Sequence, residues 1–457
     1  MKKIVGLILL VFLSFGVRAS HIMGGDITWE CIKDPLNPDV GKYIFTMKLY
    51  RDCDGISLPT TNQTLNVWNH PTVSTISLQF ISNTDISPDC DVTNSGNPAL
   101  DCSTNPVGAV EEYIYQSLPI ALVGAPPISN PPTPTTHGWH FTWDSCCRNG
   151  AIVNLATPSS DGFTMRASMF AYIDPFGNST PTDPCFDSSP IFNESPKTII
   201  CTGYPFSYTH NASDQEMDSL VYSWDEPLDD FFGAYNPPIT PGLLTYTPPY
   251  NANNPLPGNP TLNPQNGQIS YTSNLSGNFV TVVRVDAYKC NQLVAQIYRE
   301  IQAVLIACPP LVSGNANLPP TIPAPFPAPT PYYTSVAAGT LVSFNISASD
   351  ADLYAAGIPQ DVSLEITGGQ MAGDFITTTD CASPPCATFT DNLGNPPPFS
   401  SPSLVNGIFE WQTACTHIAS DAGCGNVSNI YNFAIKAYDD FCPANAITFA
   451  TITIEVT

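Results

Sequence analysis

Short apolar runs hemmed in by proline, asparagine and glycine govern what this chain can fold into. Residues 43–50 and 279–285 are such runs, and stretches with helical periodicity are scarce. Proline lacks a backbone N–H and fixes φ, so 47 prolines spread through 457 residues break helices and keep strands short. The expected fold class is all-β, with tandem β-sandwich modules. A chain of this length calls for two to four domains rather than one core.

Residues 139–143 form the clearest core strand. Trp139, Phe141 and Trp143 alternate with His140 and Thr142, so an extended backbone points three aromatics into one core. Cys146 and Cys147 follow at once, and because neighbouring side chains on an extended chain face opposite ways, the pair is expected to tie this strand to two different parts of the fold.

The chain has 15 cysteines, which mean disulfides in an exported protein. Export is what the N-terminus suggests. Lys2 and Lys3, an apolar run over residues 4–16, and Ala19 read as a signal peptide spanning residues 1–19, its apolar part too short to cross a bilayer comfortably. The mature chain is therefore expected to be extracellular or on the outer cell surface, and not membrane-spanning. Spacing leaves the disulfide pairing open. Loops closed by Cys381 with Cys386 and by Cys415 with Cys424 are sterically reasonable, which would leave Cys442 as the odd thiol. With 39 acidic residues against 14 basic ones, a net charge of −25 repels nucleic acid and anionic lipid and excludes nucleic acid as a partner.

Four motifs occur in order: His21-Ile22-Met23-Gly24-Gly25, Lys48-Leu49-Tyr50-Arg51-Asp52-Cys53, Val110-Glu111-Glu112-Tyr113-Ile114-Tyr115 and Cys146-Cys147-Arg148-Asn149. Together they resemble the N-terminal part of large exported surface proteins of Bacteroidetes. Members of that group often carry PKD-like or cadherin-like repeats and end in a gliding-motility-associated sorting domain for type IX secretion. The resemblance runs to about Cys308, implies a surface or secreted structural protein, and brings no catalytic residues with it. The sequence reaches Thr457 on an apparent last strand, residues 447–456, before any sorting domain: either it is the N-terminal part of a longer protein, or export and attachment differ from the family.

The expected organisation is a β-rich, disulfide-braced module over residues 20–195, a cadherin-like or PKD-like sandwich of the Ig-like class over 196–308, a proline-rich linker over 309–332, and a second such sandwich over 333–457. The linker, with its repeated Pro and Ala, should be an extended, semi-rigid spacer. A Pro/Asn-rich insertion at 236–264 is long for a compact domain, and such loops tend to be functional or mobile.

Calcium is the sharpest chemical expectation. Asp214, Glu216 and Asp218 alternate, Asp286 ends a strand, and the last module offers Asp350, Asp352, Asp439 and Asp440. Calcium takes several oxygen ligands in flexible geometry, which clustered carboxylates on loops provide; acidic turn residues also serve simply to start turns and stay hydrated. A copper site at an N-terminal His21 would need cleavage after Ser20, which puts Arg18 where small side chains are wanted. His137 and His140 fall on opposite faces of a strand and do not converge. Seven Asn-x-Ser/Thr triplets, among them Asn178 and Asn426, fit an Asn- and Thr-rich composition. Gly-rich phosphate loops, nucleophile elbows and metalloprotease helices are lacking. The sequence thus points to a non-enzymatic surface protein of structural or adhesive role, binding surface polymers or other cell-surface proteins. The alternative is a polysaccharide-binding accessory region of an extracellular enzyme.

Overall fold

The computed structural model describes residues 22–174, 177, 185–196, 198–418 and 429–457. The expected signal peptide, His21, Asn178, Cys424 and Asn426 lie outside them. In chain order the strands are β1 (Ile22–Cys31), β2 (Tyr43–Asp52), β3 (Gln63–Trp68), β4 (Thr75–Asp85), β5 (Val110–Ser117), β6 (Trp139–Ser145), β7 (Phe163–Met169) and β8 (Ile191–Phe192). They continue with β9 (Ile199–Cys201), β10 (Pro205–Thr209), β11 (Ala212–Ser213), β12 (Ser219–Trp224), β13 (Thr261–Leu262), β14 (Gln268–Thr272), β15 (Gly277–Lys289) and β16 (Gln292–Ile306). The last group is β17 (Tyr333–Val336), β18 (Leu341–Ser349), β19 (Asp361–Thr367), β20 (Thr388–Thr390), β21 (Phe399–Pro402), β22 (Leu404–Gln412), β23 (Asn429–Tyr438) and β24 (Ile447–Val456). Among the described residues, helix is confined to single turns such as Val92–Ser95. The all-β expectation holds.

The largest sheet has eleven strands, and its path β1-β2-β5-β4-β3-β6-β7-β16 returns to β1. The closing strand is β16, which meets β7 at Ala295–Ile297 and β1 around Arg299–Ile301 on one edge while pairing with β15 along the other. The Gly24-Gly25 pair explains how β1 fits between its two neighbours. Gly24 has φ of 146°, and a Cβ there would sit 2.0 Å from the backbone oxygen of Glu300, so only glycine permits this approach. The expected boundary at 195/196 is crossed by this sheet: strands from both sides of it share one ladder and one core. A fifteen-residue strand is long enough to serve several partners, which a shorter module-bound strand is not.

Trp29, Phe45 and Phe141 meet in that core, with ring centroids of Phe45 and Phe141 4.6 Å apart. Trp139 and Trp143 are buried as expected, but so are His140 and Thr142 on the opposite face of β6. The insertion at 236–264 and the residues before it account for this. Tyr235 packs on His140, Leu244 joins Ile152, Leu155 and Val280, and the Asn154 side chain donates to the Pro255 carbonyl at 2.9 Å. The insertion is therefore packed against the sheet.

Residues 333–457 form a sandwich of a five-stranded sheet, β17-β24-β23-β19-β21, and a three-stranded one, β18-β22-β20. Its core holds Trp411, Phe409, Phe389 and Phe433. The proline-rich linker does not hold this sandwich at a distance. Ile322 enters its core, Phe326 packs on Phe344 at 5.0 Å, and Thr321 bridges to Ser349. The first half of β24, still paired with β23, also joins the larger core through Ile447 and Phe449, with the Ser207 hydroxyl bonded to the Phe449 backbone.

Six disulfides are defined: Cys31–Cys185, Cys53–Cys102, Cys90–Cys442, Cys146–Cys147, Cys201–Cys308 and Cys381–Cys386. Cys290 is also disulfide-bonded, and Cys415 carries a free thiol. Cys381–Cys386 is as expected. Cys146 and Cys147 bond each other instead of reaching two other regions, because the chain turns out of the extended conformation as β6 ends. Cys442 is not the odd thiol: it reaches Cys90 across a separation of 352 residues, clamping the last sandwich to the first region.

Candidate functional site

Lys289 closes β15, at the tip of the hairpin to β16, where Cys290 and Asn291 turn the chain with φ of 48° and 62°. Its side chain points inward. The ammonium donates to the Phe186 carbonyl at 2.9 Å, lies 3.2 Å from Asp218 Oδ2 and 3.7 Å from Asp187 Oδ1.

Asp187 belongs to a segment laid along β1. Cys185 is bonded to Cys31, the Ser188 hydroxyl accepts from the Cys31 N–H at 3.1 Å, and the Ser189 hydroxyl accepts from the Trp29 N–H at 2.9 Å. These anchors leave Asp187 fully buried, with hydrogen-bond partners for neither carboxyl oxygen.

The third component is the turn after β11. Asp214 Oδ1 accepts from the N–H groups of Glu216 and Asp218 at 2.9 and 3.1 Å, so one carboxylate oxygen shapes the turn while Asp214 Oδ2 stays unpartnered. Glu216 accepts from the Ser188 N–H at 3.0 Å and pairs with Lys33.

Burial pushes the Asp187 carboxyl well above the usual carboxylate range, against the pull of Lys289 and with the help of Asp214, Glu216 and Asp218. Asp214 is raised by burial and by its acidic neighbours, and Asp218 is raised by burial against the pull of Lys289. Burial opposes charge on Lys289, but the carboxylates, Asp187 and Asp218 foremost, outweigh it and raise its pKa. Asp187, Asp214 and Asp218 are thus shifted towards their protonated forms, while Lys289 is favoured in its charged form. Lys289 and Asp218 border a cavity of about 1180 Å³, which the last sandwich lines through Tyr431 and Phe433.

The structure brings Asp214, Glu216 and Asp218 together, with Lys289 as the cation among them. Asp286 lies elsewhere, 3.0 Å from Arg284 and hydrogen-bonded by Gln296. Asp350, Asp352, Asp439 and Asp440 form a second group at the base of the last sandwich. Asp439 is buried and accepts from Asn317 at 2.6 Å and from the N–H groups of Phe441 and Ala446. Asp440 accepts from Tyr354 and the Asp361 N–H, Asp352 from the Leu318 N–H, and Asp350 Oδ1 from the Asp352 N–H. Asp350 Oδ2 is buried without a partner, and burial pushes this carboxyl up to about 6.

Among the described residues, the one group of three ligand atoms mutually within 4.8 Å is Cys53, Cys102 and Glu111, whose two sulfurs are bonded to each other. Asp187 and Lys289 were not among the expected site residues. The available signal for Lys289 was a lone lysine ending an apolar strand; Asp187 sits in no acidic pattern.

No protein-family model matches this chain, and no curated protein matches it. Among solved structures it is similar to the complex of Dpr2 Ig1-Ig2 with DIP-Theta Ig1-Ig3, at 12% identity and a TM-score of 0.21, covering 59% of this chain and 98% of that one. It is also similar to a structure on Dscam isoform specificity, at 10% identity and a TM-score of 0.15, covering 95% and 92% of the two chains. Scores this low establish no shared topology, and the fold stands on the strand pairings above.

Proposed function

We propose that this is an exported structural or adhesion protein of the cell surface, which binds surface polymers or other cell-surface proteins through the faces and loops of its sandwiches. The observation that carries the reading is covalent bracing: four of the six defined disulfides join segments far apart in sequence, one of them across 352 residues, as suits a secreted protein in an oxidising environment. By its motifs the chain also resembles surface proteins linked to gliding, and that association is part of the proposal. The purified protein is expected to bind intact cells or isolated surface polymer without turnover. Release of soluble oligosaccharide on prolonged incubation would overturn the reading.

The polysaccharide-accessory reading has one observation in its favour. Trp68 stacks on Tyr235 at 6.3 Å and meets Phe231 at 5.8 Å, beside a Phe232 that is 99% exposed. Aromatic faces of this kind suit sugar rings. Loss of polymer binding, but not of cell binding, in Phe232→Ala would favour it.

We also propose calcium as a ligand of the Asp350, Asp352, Asp439 and Asp440 group, where the unpartnered Asp350 Oδ2 supplies a free carboxylate oxygen. Millimolar calcium then raises the unfolding temperature relative to chelator, and equal melts overturn it.

A further inference from the structure

Lys289 and Asp187 stand in an arrangement that a salt bridge alone does not account for. A lysine ammonium within 3.7 Å of a wholly buried carboxyl group is common enough as an ion pair. Here, however, neither oxygen of that carboxyl is hydrogen-bonded, and a second carboxyl, Asp218, stands beside the same ammonium with its Oδ2 3.2 Å away. An amine, a carboxylic acid and a proton carrier are thus held together, Lys289 at the end of β15, Asp218 in the turn before β12 and Asp187 on the segment tied to β1 by Cys31–Cys185.

We propose that Lys289 Nζ and Asp187 Cγ condense spontaneously into an intramolecular amide, with Asp218 moving the protons. Asp218 takes a proton from the Lys289 ammonium, and the freed lone pair attacks Cγ of the protonated Asp187. A C–N bond forms. Asp218 returns its proton to the departing hydroxyl, the C–O bond breaks and one water leaves, with the cavity beside Asp218 and Lys289 as its exit; the second proton lost by the nitrogen then goes to Asp218, which ends neutral. Nothing is oxidised or reduced, and no co-reactant is consumed. The charges of one ammonium and one carboxylate disappear from a buried site, which favours the product.

Asp187 is the electrophile and Asp218 the carrier because Asp187 is the fully buried, protonated partner, whereas Asp218 faces both reacting groups and the cavity. The amide would fasten the 185–190 segment, already tied to β1 by Cys31–Cys185, to the tip of the β15–β16 hairpin. A covalent bond indifferent to reducing agents would then back up one that is not. This inference does not depend on what the protein binds.

The test is intact mass spectrometry of the full chain after reduction and alkylation. The expected wild-type mass is one water below that of the sequence. Digestion should yield a branched peptide joining Lys289 to Asp187, and Lys289→Ala, Asp187→Ala and Asp218→Asn should each carry the full mass of their own sequences. A folded wild-type protein at full mass overturns the proposal, and so does a branch that joins Lys289 to Asp218. The wild-type measurement decides even where a variant fails to fold.

Discussion

The acidic loops at residues 214–218 and 350–352 look alike as sequence, each an alternation of carboxylates after a strand, yet the fold treats them in opposite ways. The first is closed around a lysine from a distant hairpin and keeps several carboxyl oxygens without hydrogen bonds. The second, with Asp439 and Asp440, is met largely by N–H and side-chain donors from its own turns and from the linker at Asn317 and Leu318. The difference lies in where compensation comes from. One group depends on lysine charge, Lys289 within it and Lys33 on Glu216, the other on many dipoles.

The strongest way to break that contrast is Lys289→Ala. Removing the ammonium in contact with Asp187 and Asp218 strands buried carboxylates, a change that costs about 3–5 kcal/mol. Chemical denaturation should show the loss, and Lys289→Met combined with Asp187→Asn and Asp218→Asn should recover part of it. A single-variant loss below about 1 kcal/mol would mean the cluster is hydrated rather than closed.

Asp439→Ala probes the other group. It leaves the N–H groups of Phe441 and Ala446 and the Asn317 amide without their acceptor, for an expected loss of about 2–4 kcal/mol, whereas Asn317→Ala removes one donor of three and costs about 1 kcal/mol. Comparable losses from the two substitutions would show that the linker contact, not the turn, is what Asp439 holds.

These contrasts also mark how far the sequence could be read. Strands announced themselves by alternation: residues 43–50 fall in β2 with every second side chain buried, 110–115 in β5, and 342–348 in β18. What an individual strand cannot announce is its neighbour. The eleven-stranded sheet was hidden because nothing within β16 names its several partners, and the buried Arg299 and Glu300 within it are paired with Asp26 and Arg148, far away in the chain. Beyond the short Cys381–Cys386 loop, cysteine pairing was illegible for the same reason, since spacing says nothing about which distant loops meet. At the site, Asp214, Glu216 and Asp218 were visible as a local pattern, while Asp187 and Lys289 take their roles from tertiary contact alone. Local order is written locally; charge compensation here is not.

The smallest effect expected is also the one with a definite sign. Asp350 has a carboxyl raised to about 6 in the folded state, from an ordinary value of 3.8. Between those values the folded chain keeps a proton that the unfolded chain has released, so stability is greatest below the lower value and falls as pH rises through the window. Asp350→Asn removes the titration while keeping an oxygen for the Asp352 N–H. In chelator at neutral pH the variant should therefore be the more stable protein, by on the order of 1 kcal/mol once partial exposure is discounted, and the two should converge towards pH 4. Millimolar calcium should reverse the order, because a bound cation favours the ionised carboxylate that asparagine lacks. A variant that stays the more stable one in calcium would place the two acidic groups in the same category after all: both closed by the protein's own donors, with no ion required.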